Sequence, residues 1–278
     1  MPRPRPFRQV DVFGAAPGRG NPVAVVLDGT GLADEDLRRF AAWTNLSETT
    51  FVLPPTTPDA DLRVRILTPT EELPFAGHPT LGTVHAWREE RPERAARTTV
   101  TMECGAGLVP VCATPDGLAF AAPPLRRSGP VDAALLDHVA ALLGIGREEI
   151  VDATWAANGP GWVAVLLRDA AAVLALRPGA VDLDLGVVGP HPPGAAEAFE
   201  VRAFFPVHGA TVEDPVTGSL NAALADWLID AGRAPTRYVA RQGTALGRQG
   251  RVHVSRSDDG GTWIAGATAT VVRGEAWL

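Results

Sequence analysis

The chain has 278 residues, of which 46% are hydrophobic and 21% are charged, which is the composition of a globular protein long enough for two domains. Its formal net charge of -7 leaves no basic surface for neutralising phosphates, so we do not expect nucleic acid as a partner. No apolar segment approaches the roughly 20 residues of a membrane span, and the first residues lack the apolar core of a signal peptide. The sequence therefore predicts a cytoplasmic protein with small-molecule ligands, no membrane contact and a frayed N-terminus over residues 1–6.

Apolar patterns predict short strands and helices in both halves of the chain. Strands are predicted over residues 10–13, 23–27, 62–66, 98–103 and 108–112, and then over residues 162–167, 199–205, 251–255 and 267–272. Helices are predicted over residues 33–45, 132–143 and 218–231. The last helix has apolar residues at helical spacing and small residues on its other faces, which is typical of a helix wrapped by a sheet. The mixture favours an α+β fold over a regular alternation of strands and helices.

A short sequence near one quarter of the chain returns near three quarters. Val64-Arg65 lies ahead of a helix start at Gly77, and Val201-Arg202 lies ahead of another at Gly218. A duplicated unit would place two sets of backbone N–H groups at equivalent points of two similar lobes. If the lobes face each other, these groups form an anion site in the cleft. Chance similarity between two strand-to-helix junctions is the alternative.

The segment over residues 121–130 is the best candidate for a linker, because its prolines stiffen it and it falls just short of the midpoint. A boundary there gives an N-terminal lobe over residues 1–127 and a C-terminal lobe over residues 128–266. We expect residues 267–278 to return to the N-terminal lobe as a strand.

Composition and spacing disfavour several kinds of cofactor chemistry. All 25 residues counted as Lys+Arg are arginine, so the chain has no amine for a pyridoxal phosphate aldimine or a phosphate-binding loop. The glycine-rich segment 14–22 lacks the spacing of a dinucleotide-binding loop, and the histidines are not clustered as metal ligands. Cys104 and Cys112 lack zinc spacing and are predicted to be buried, inert thiols. We therefore expect neither a cofactor nor a metal.

Three side chains beside the ends of predicted elements are candidates for chemistry. Glu48 lies between a helix end and the β-rich segment 49–53, where partial burial would suit it to accept and donate a proton. His78 and Asp214 each lie at a predicted helix start. The local alternatives are a solvated loop glutamate, a structural histidine and an aspartate that only stabilises its helix.

Several segments together match a known family. In chain order they are Val10-Asp11-Val12-Phe13, Gly20-Asn21-Pro22, Ser47-Glu48-Thr49-Thr50-Phe51, Leu73-Pro74-Phe75-Ala76-Gly77-His78-Pro79-Thr80, Glu213-Asp214-Pro215-Val216-Thr217-Gly218-Ser219, and Gln242-Gly243 with Gly247-Arg248 and Gly250-Arg251. They span nearly the whole chain, which resembles the PhzF-like phenazine biosynthesis isomerase family. The resemblance implies a diaminopimelate-epimerase-like fold of two similar lobes, each a curled mixed sheet around a central helix, with a site in the cleft. It also implies a cofactor-independent enzyme and a homodimer.

The resemblance also assigns roles to individual residues. Glu48 matches the family's proton-shuttling glutamate, and the residues that accompany it match His78, Asp214 and Ser219. The matching substrate-binding positions are Asn21, Ser47, Gly77, Thr217 and Gly218. Related diaminopimelate epimerases and proline racemases carry cysteine at one or both helix starts, where this chain has His78 and Ser219. A racemase with two thiols is therefore disfavoured.

We therefore expect an isomerase that moves a proton, and with it a double bond, on a small carboxylate-bearing biosynthetic intermediate. Glu48 would be the general acid and base, and the helix starts at Gly77 and Gly218 would hold the carboxylate. One alternative is an amino-acid epimerase or racemase, which needs an acid and a base on opposite faces of one carbon. Another is a non-catalytic binding protein that retains the fold.

Overall fold

The computed structural model describes residues 1–278 apart from the side chain of Pro92. The elements of the first 121 residues are β1 (Pro4–Val12), β2 (Asn21–Val26), α1 (Asp34–Thr44), β3 (Glu48–Leu53), β4 (Leu62–Leu67), β5 (Glu72–Leu73), α2 (Gly77–Glu89), α3 (Pro92–Ala95), β6 (Thr99–Cys104), β7 (Gly107–Thr114) and β8 (Gly117–Ala121). The later elements are β9 (Arg127–Pro130), α4 (Ala133–Leu143), β10 (Ile150–Ala157), β11 (Val163–Leu167), α5 (Ala170–Ala175), β12 (Leu185–Pro190), β13 (Phe199–Val207), β14 (Ala210–Asp214), α6 (Gly218–Asp230), β15 (Arg237–Gln242), β16 (Gly250–Arg256), β17 (Thr262–Gly266) and β18 (Thr268–Trp277). Among the described helices, none combines the length and the apolar character that crossing a membrane requires.

The chain divides into two compact units. The N-terminal unit comprises residues 1–121 and 265–278, and the C-terminal unit comprises residues 122–264. The sequence placed the boundaries after residues 127 and 266. The linker predicted over residues 121–130 is wrong at its C-terminal end, because residues 127–130 form strand β9, which pairs antiparallel with β10. Pro130, one of the prolines that indicated a linker, is tolerated there because it is the last residue of the strand.

The N-terminal unit is built on one mixed sheet. Its strands follow the order β18–β1–β2–β3–β4–β6–β7–β8, with the short β5 paired to β4. The pairs β2–β3 and β4–β6 are parallel, and the other pairs are antiparallel. Along β4 the alternation of apolar and polar residues that predicted a strand also gives its two faces: Leu62, Val64 and Ile66 are buried, whereas Arg63 and Arg65 are partly exposed.

The N-terminus is ordered, contrary to the prediction that it frays. Strand β1 begins at Pro4 and pairs with β18, which occupies most of the predicted return segment 267–278, so that Pro4 lies opposite Trp277. The guanidinium of Arg5 is buried and donates hydrogen bonds to the backbone carbonyls of Asp28 and Thr30, at 2.6 and 2.9 Å. The partners that order this end are remote in sequence, so the local composition could not reveal them.

Helix α2 is the central helix of the N-terminal unit. It contacts β1, β2, β3, β6, β7, β8 and β18. Ten of its 13 residues are buried, so it is buried on all sides, as a helix wrapped by a sheet must be. Gly82 allows β2 to approach closely, since a Cβ at this position would lie 2.4 Å from Cγ1 of Val23.

The C-terminal unit has its own mixed sheet and central helix. Its strands follow the order β9–β10–β11–β12–β13–β15–β16, with β14 paired to β13. The pairs β11–β12 and β13–β15 are parallel, and the others are antiparallel. Helix α6 contacts β10 and β16 and buries eight of its 13 residues, which confirms the helix predicted over residues 218–231. A separate apolar cluster that includes Val139, Val165, Leu185 and Phe204 packs α4 and α5 against the strands.

The two units repeat one pattern of strand pairing. In the first unit the pairs β1–β2, β3–β4, β4–β5 and β6–β7 are antiparallel, and the pairs β2–β3 and β4–β6 are parallel. In the second unit the corresponding pairs β10–β11, β12–β13, β13–β14 and β15–β16 are antiparallel, and the pairs β11–β12 and β13–β15 are parallel. Val64-Arg65 and Val201-Arg202 lie on the equivalent strands β4 and β13, and the equivalent helices begin at Gly77 and Gly218. The predicted α+β class, with a mixed sheet around a central helix in each lobe, is confirmed.

Candidate functional site

Helix α2 begins without a capping side chain. Its N-cap residue is Ala76, whose methyl group cannot accept a hydrogen bond from the first turn. Pro79 in that turn has no N–H to satisfy. The N–H groups of Gly77 and His78 therefore lie at the positive end of the helix without a side-chain acceptor. A helix start of this kind is suited to bind an anion.

Glu48 and His78 lie together beside this helix start. Glu48 is the first residue of β3, opposite Val23 of the parallel strand β2. Its Oε2 atom is 3.2 Å from Nε2 of His78, and the two side chains are only 13% and 6% exposed. The structure therefore brings the predicted proton carrier and the predicted histidine into contact in a largely water-free environment.

The His78 imidazole is neutral at neutral pH. Burial lowers the pKa of His78 to about 3, and a hydrogen bond with the backbone of Pro22 only partly opposes this effect. The contact with Glu48 is therefore one between a carboxyl group and a neutral imidazole, not an ion pair. A neutral imidazole can donate a hydrogen bond without adding a positive charge that would hold the neighbouring carboxyl group permanently ionised.

Asn21 completes the α2 site from the first residue of β2. It is fully buried, and its Nδ2 atom is 3.4 Å from Nδ1 of His78. The preceding residue, Gly20, donates its N–H to the buried carboxylate of Asp11 at 2.9 Å. Gly20 cannot carry a side chain here, because a Cβ would lie 2.0 Å from the backbone oxygen of Val12. Asp11 therefore anchors the turn that positions Asn21.

Helix α6 begins in a buried network of hydrogen bonds. Asp214 ends β14, and its Oδ2 atom accepts a hydrogen bond from the Thr217 hydroxyl at 2.6 Å. The backbone N–H of Thr217 donates to Oε1 of Gln242 at 3.0 Å, so the N-cap residue is tied to strand β15. Asn221, one turn into the helix, also donates to Gln242 Oε1, at 2.9 Å. Sequence reasoning missed the last two residues as parts of the site, although Gln242 lies in a segment that matches the family.

Ser219 contacts the loop that joins β10 and β11. Its hydroxyl accepts a hydrogen bond from Nε1 of Trp162 at 3.3 Å, and its carbonyl accepts one from Nδ2 of Asn158 at 2.9 Å. Neither Trp162 nor Asn158 was predicted, because nothing in their local sequence relates them to a helix start about 60 residues later. The side chain of the N-cap residue of α6, Thr217, does not cap the first turn of the helix, so the start of α6 is also suited to bind an anion.

Each unit thus assembles its own share of the predicted residues. The N-terminal unit brings together Asn21, Glu48, Gly77 and His78. The C-terminal unit brings together Asp214, Thr217, Gly218 and Ser219. Ser47 directly precedes Glu48 and is half-buried. The catalytic and binding roles of all nine residues remain predictions.

The two cysteines lie away from both helix starts in the chain. Cys104 ends β6 and Cys112 lies on β7, and both thiols are free. Both residues are half-buried, so they are more exposed to solvent than the predicted buried thiols. Burial still raises the pKa of the Cys104 thiol, which makes it a poor nucleophile. Among the described residues, no group of three or more His, Cys, Asp or Glu side chains is placed to hold a metal ion.

Comparison with known proteins gives a consistent result over the whole chain. A family model described as phenazine biosynthesis-like protein, PhzC-PhzF, matches residues 10–276. The chain is 34% identical to the trans-2,3-dihydro-3-hydroxyanthranilate isomerase of Pseudomonas aeruginosa, with 97% of this chain and 98% of that protein covered. It is also 33% identical to the protein named antisense-enhancing sequence 1 of Schizosaccharomyces pombe, with 98% of each covered.

A solved structure shows the same fold. The crystal structure of the Bacillus anthracis phenazine biosynthesis protein of the PhzF family matches with a TM-score of 0.84. The sequences are 23% identical, and the match covers 99% of this chain and 100% of that one. At this identity the likeness supports the fold and nothing further.

Proposed function

The chain belongs to the PhzC-PhzF family of phenazine biosynthesis-like proteins, a family of isomerases, and we propose that it is a cofactor-independent isomerase. Its proposed reaction moves a proton, and with it a double bond, on a small carboxylate-bearing biosynthetic intermediate. The observation that carries the proposal is the 3.2 Å contact between Glu48 and the neutral, buried His78 beside the uncapped start of α2.

Glu48 is the proposed general acid and base. Its carboxylate takes a proton from one substrate carbon, and the electron pair of the broken C–H bond enters the shifting double bond. The protonated Glu48 then returns the proton to a second carbon on the same face of the substrate. Substrate and product are isomers, so the molecule as a whole is neither oxidised nor reduced and the step needs no external electron donor or acceptor.

The helix starts supply the proposed binding and charge stabilisation. Negative charge that develops on the conjugated carboxylate of the substrate is favoured at the positive end of a helix. The N–H groups at Gly77 and at Gly218 are candidates for this role, since neither start has a side-chain cap. Asn21, Ser47 and Thr217 are proposed to position the substrate.

Asp214 and Ser219 are proposed to assist Glu48. The Asp214 carboxyl group is buried and hydrogen-bonded, and Ser219 adds a half-buried hydroxyl in the first turn of α6. Both are held by neighbouring side chains, which is a requirement for groups that orient a substrate.

Turnover of a defined probe tests the proposal. The probe is trans-2,3-dihydro-3-hydroxyanthranilate, the compound named for the Pseudomonas aeruginosa relative. In deuterated water, NMR should show a double-bond isomer, and mass spectrometry should show no more than one carbon-bound deuterium. The same assay extends to cyclic intermediates of amino-acid pathways, because members of this family need not share one substrate.

Two outcomes would overturn the proposal. Deuterium that enters only at one carbon, together with inversion at that carbon, would indicate an epimerase or racemase. An absence of turnover and of deuterium exchange across the whole substrate panel would favour a binding protein that retains the fold.

We further propose that the protein acts in the cytoplasm as a homodimer, as the family resemblance implies. Light scattering coupled to size-exclusion chromatography should give about twice the 29.2 kDa mass of the chain. A single species at the mass of one chain would contradict the homodimer without affecting the proposed reaction.

A further inference from the structure

Gln242 makes four hydrogen bonds at the start of α6. The residue is fully buried at the end of β15. Its Oε1 atom accepts from the N–H of Thr217 and from Nδ2 of Asn221, at 3.0 and 2.9 Å. Its Nε2 atom donates to the Thr217 hydroxyl and to the backbone carbonyl of Asp214, at 2.9 and 3.2 Å. All donor and acceptor positions of the amide group are used.

The orientation of this amide follows from its partners. A backbone N–H can only donate, so the amide atom that faces the N–H of Thr217 must be the oxygen. The nitrogen then faces the Thr217 hydroxyl. Because an amide nitrogen can only donate, the hydroxyl accepts this hydrogen bond with its oxygen and keeps its own hydrogen for another partner.

That partner is the carboxyl group of Asp214. The Thr217 hydroxyl has one hydrogen, and Oδ2 of Asp214 lies 2.6 Å from its oxygen. The hydrogen bonds therefore run in one direction, from Gln242 to Thr217 and from Thr217 to Asp214. An oxygen that receives this hydrogen bond is favoured in its unprotonated form.

We propose that Gln242 is a positioning residue that acts through the Thr217 hydroxyl, keeps Oδ2 of Asp214 as a hydrogen-bond acceptor, and so confines any proton taken up by Asp214 to Oδ1. The catalytic meaning of this inference rests on the proposed role of Asp214 in the isomerase. The direction of the hydrogen bonds does not rest on that role and can be measured without a substrate.

Other charged groups on the surrounding strands must be considered for any titration of Asp214. Three arginines form ion pairs with nearby glutamates: Arg202 with Glu213, Arg241 with Glu200, and Arg251 with Glu197. Arg248 packs against Gly243, and His253 lies on β16. None of these is altered by the substitutions chosen below.

The test measures the ionisation of Asp214 directly. In full-length protein labelled with ¹³C at aspartate carboxyl groups, the signal that disappears in Asp214→Asn is assigned to Asp214 and followed against pH by NMR. Gln242→Met keeps a side chain of similar length but cannot donate to Thr217, which frees the hydroxyl to accept a hydrogen bond from the protonated Asp214 carboxyl group. The titration midpoint should rise by about one pH unit. Gln249→Met, an exposed glutamine on the following segment, is the matched control and should leave the midpoint unchanged.

A double-mutant cycle tests whether Gln242 acts through the hydroxyl. Thr217→Val removes the donor to Asp214 and should itself raise the midpoint by about one unit, whereas Thr217→Ser should restore the wild-type value. Adding Gln242→Met to Thr217→Val should then cause no further rise. The inference would be overturned if Gln242→Met raised the midpoint by the same amount in the wild-type protein and in Thr217→Val. It would also be overturned if Gln242→Met alone left the midpoint unchanged.

The Thr217 pair keeps the inference testable if Gln242→Met does not fold. A wild-type midpoint in folded Thr217→Val would show that the hydroxyl does not control Asp214, and the inference would fail. If the wild-type protein has no isomerase activity but the variants shift the titration midpoint of Asp214 as expected, the result would count against the proposed isomerase and would support the role of Gln242.

Discussion

The starts of α2 and α6 occupy equivalent places in two units with the same strand pairing, yet their buried polar groups differ in kind. At α2 they are a carboxyl group and a neutral imidazole, 3.2 Å apart. At α6 they are an amide, a hydroxyl and a carboxyl group joined by hydrogen bonds of 2.9 and 2.6 Å. The α2 pair is a close contact between two buried groups, whereas the α6 network fixes the direction of its hydrogen bonds. The two units therefore share an uncapped helix start, whereas the side chains around it differ.

The repeated Val-Arg segments show a second contrast. Arg65 forms two hydrogen bonds with Glu72, at 2.7 and 2.6 Å, and Arg202 forms two with Glu213, at 3.0 and 2.7 Å. The side chains of the first pair are 19% and 35% exposed, and those of the second pair are 6% and 11% exposed. The two ion pairs have similar geometry but different exposure to solvent, so we expect them to contribute differently to the free energy of unfolding.

The largest expected effect concerns the proton carrier of the α2 site. Glu48→Gln preserves the shape of the side chain but cannot accept a proton from carbon, so kcat should fall by about 10²–10⁴-fold while ligand binding persists. Glu71→Gln, at an exposed glutamate of the same unit, is the control and should retain wild-type kcat. Near-normal turnover of Glu48→Gln on a substrate of the wild-type protein would leave His78 or Asp214 as the proton carrier.

A stability measurement sharpens the contrast between the two ion pairs. Arg202→Met leaves Glu213 buried without its partner and also removes hydrogen bonds to the carbonyls of Val173 and Leu176, so the free energy of unfolding should fall by about 3–5 kcal/mol. Arg65→Met removes the equivalent, more exposed pair together with the ion pair between Arg65 and the exposed Asp34, and should cost about 1 kcal/mol or less. Urea unfolding of both variants at neutral pH measures the difference. Equal losses would show that burial does not separate the two pairs.

The neutral imidazole of the α2 site predicts a pH dependence of stability. The folded-state pKa of His78 is lowered to about 3, whereas an unfolded histidine titrates near about 6.5. Below pH 6.5 the unfolded state binds a proton that the folded state excludes, so stability present above pH 6.5 is lost as the pH falls toward 3. His78→Asn should reduce the slope between pH 6.5 and 5 by at most about 1.4 kcal/mol per pH unit.

The matched control for this experiment is His208→Asn, because His208 is exposed and asparagine tolerates the positive φ of 48° at this position. Urea unfolding at several pH values should show the wild-type slope for this variant. If His78→Asn also kept the wild-type slope, the imidazole would not be neutral in the folded protein, and the description of its contact with Glu48 would change.

The smallest expected effect concerns the thiols and any added cofactor. Cys104→Ser and Cys112→Ser should each retain activity within about twofold, since neither residue lies at a helix start and the mechanism requires no thiol. Activity should also survive exhaustive dialysis against EDTA, and the purified protein should show no visible absorbance. Loss of turnover in a folded serine variant would revive the thiol-racemase alternative.

Much of the local structure could be predicted because short-range patterns encode it. Alternation predicted β4, apolar residues at helical spacing predicted α6, and glycine followed by a polar residue marked both helix starts. The candidate residues were found in the same way, although their roles came from family resemblance. Gln242 was noticed as part of a motif, but the amide geometry that gives it a proposed role could not be read from its neighbours in sequence.

The sequence by itself determined several of the strands and helices, such as β4 and α6, and the chemical groups that stand at the starts of α2 and α6. Only the tertiary structure decided that the N-terminal strand is ordered by β18, that residues 127–130 belong to a sheet, and that one of two similar ion pairs is buried. These outcomes depend on backbone partners and solvent exclusion supplied by distant parts of the chain. Local propensity contributes tenths of a kcal/mol per residue, whereas removing a partner from a buried charge costs about 3–5 kcal/mol, so the long-range contacts prevail.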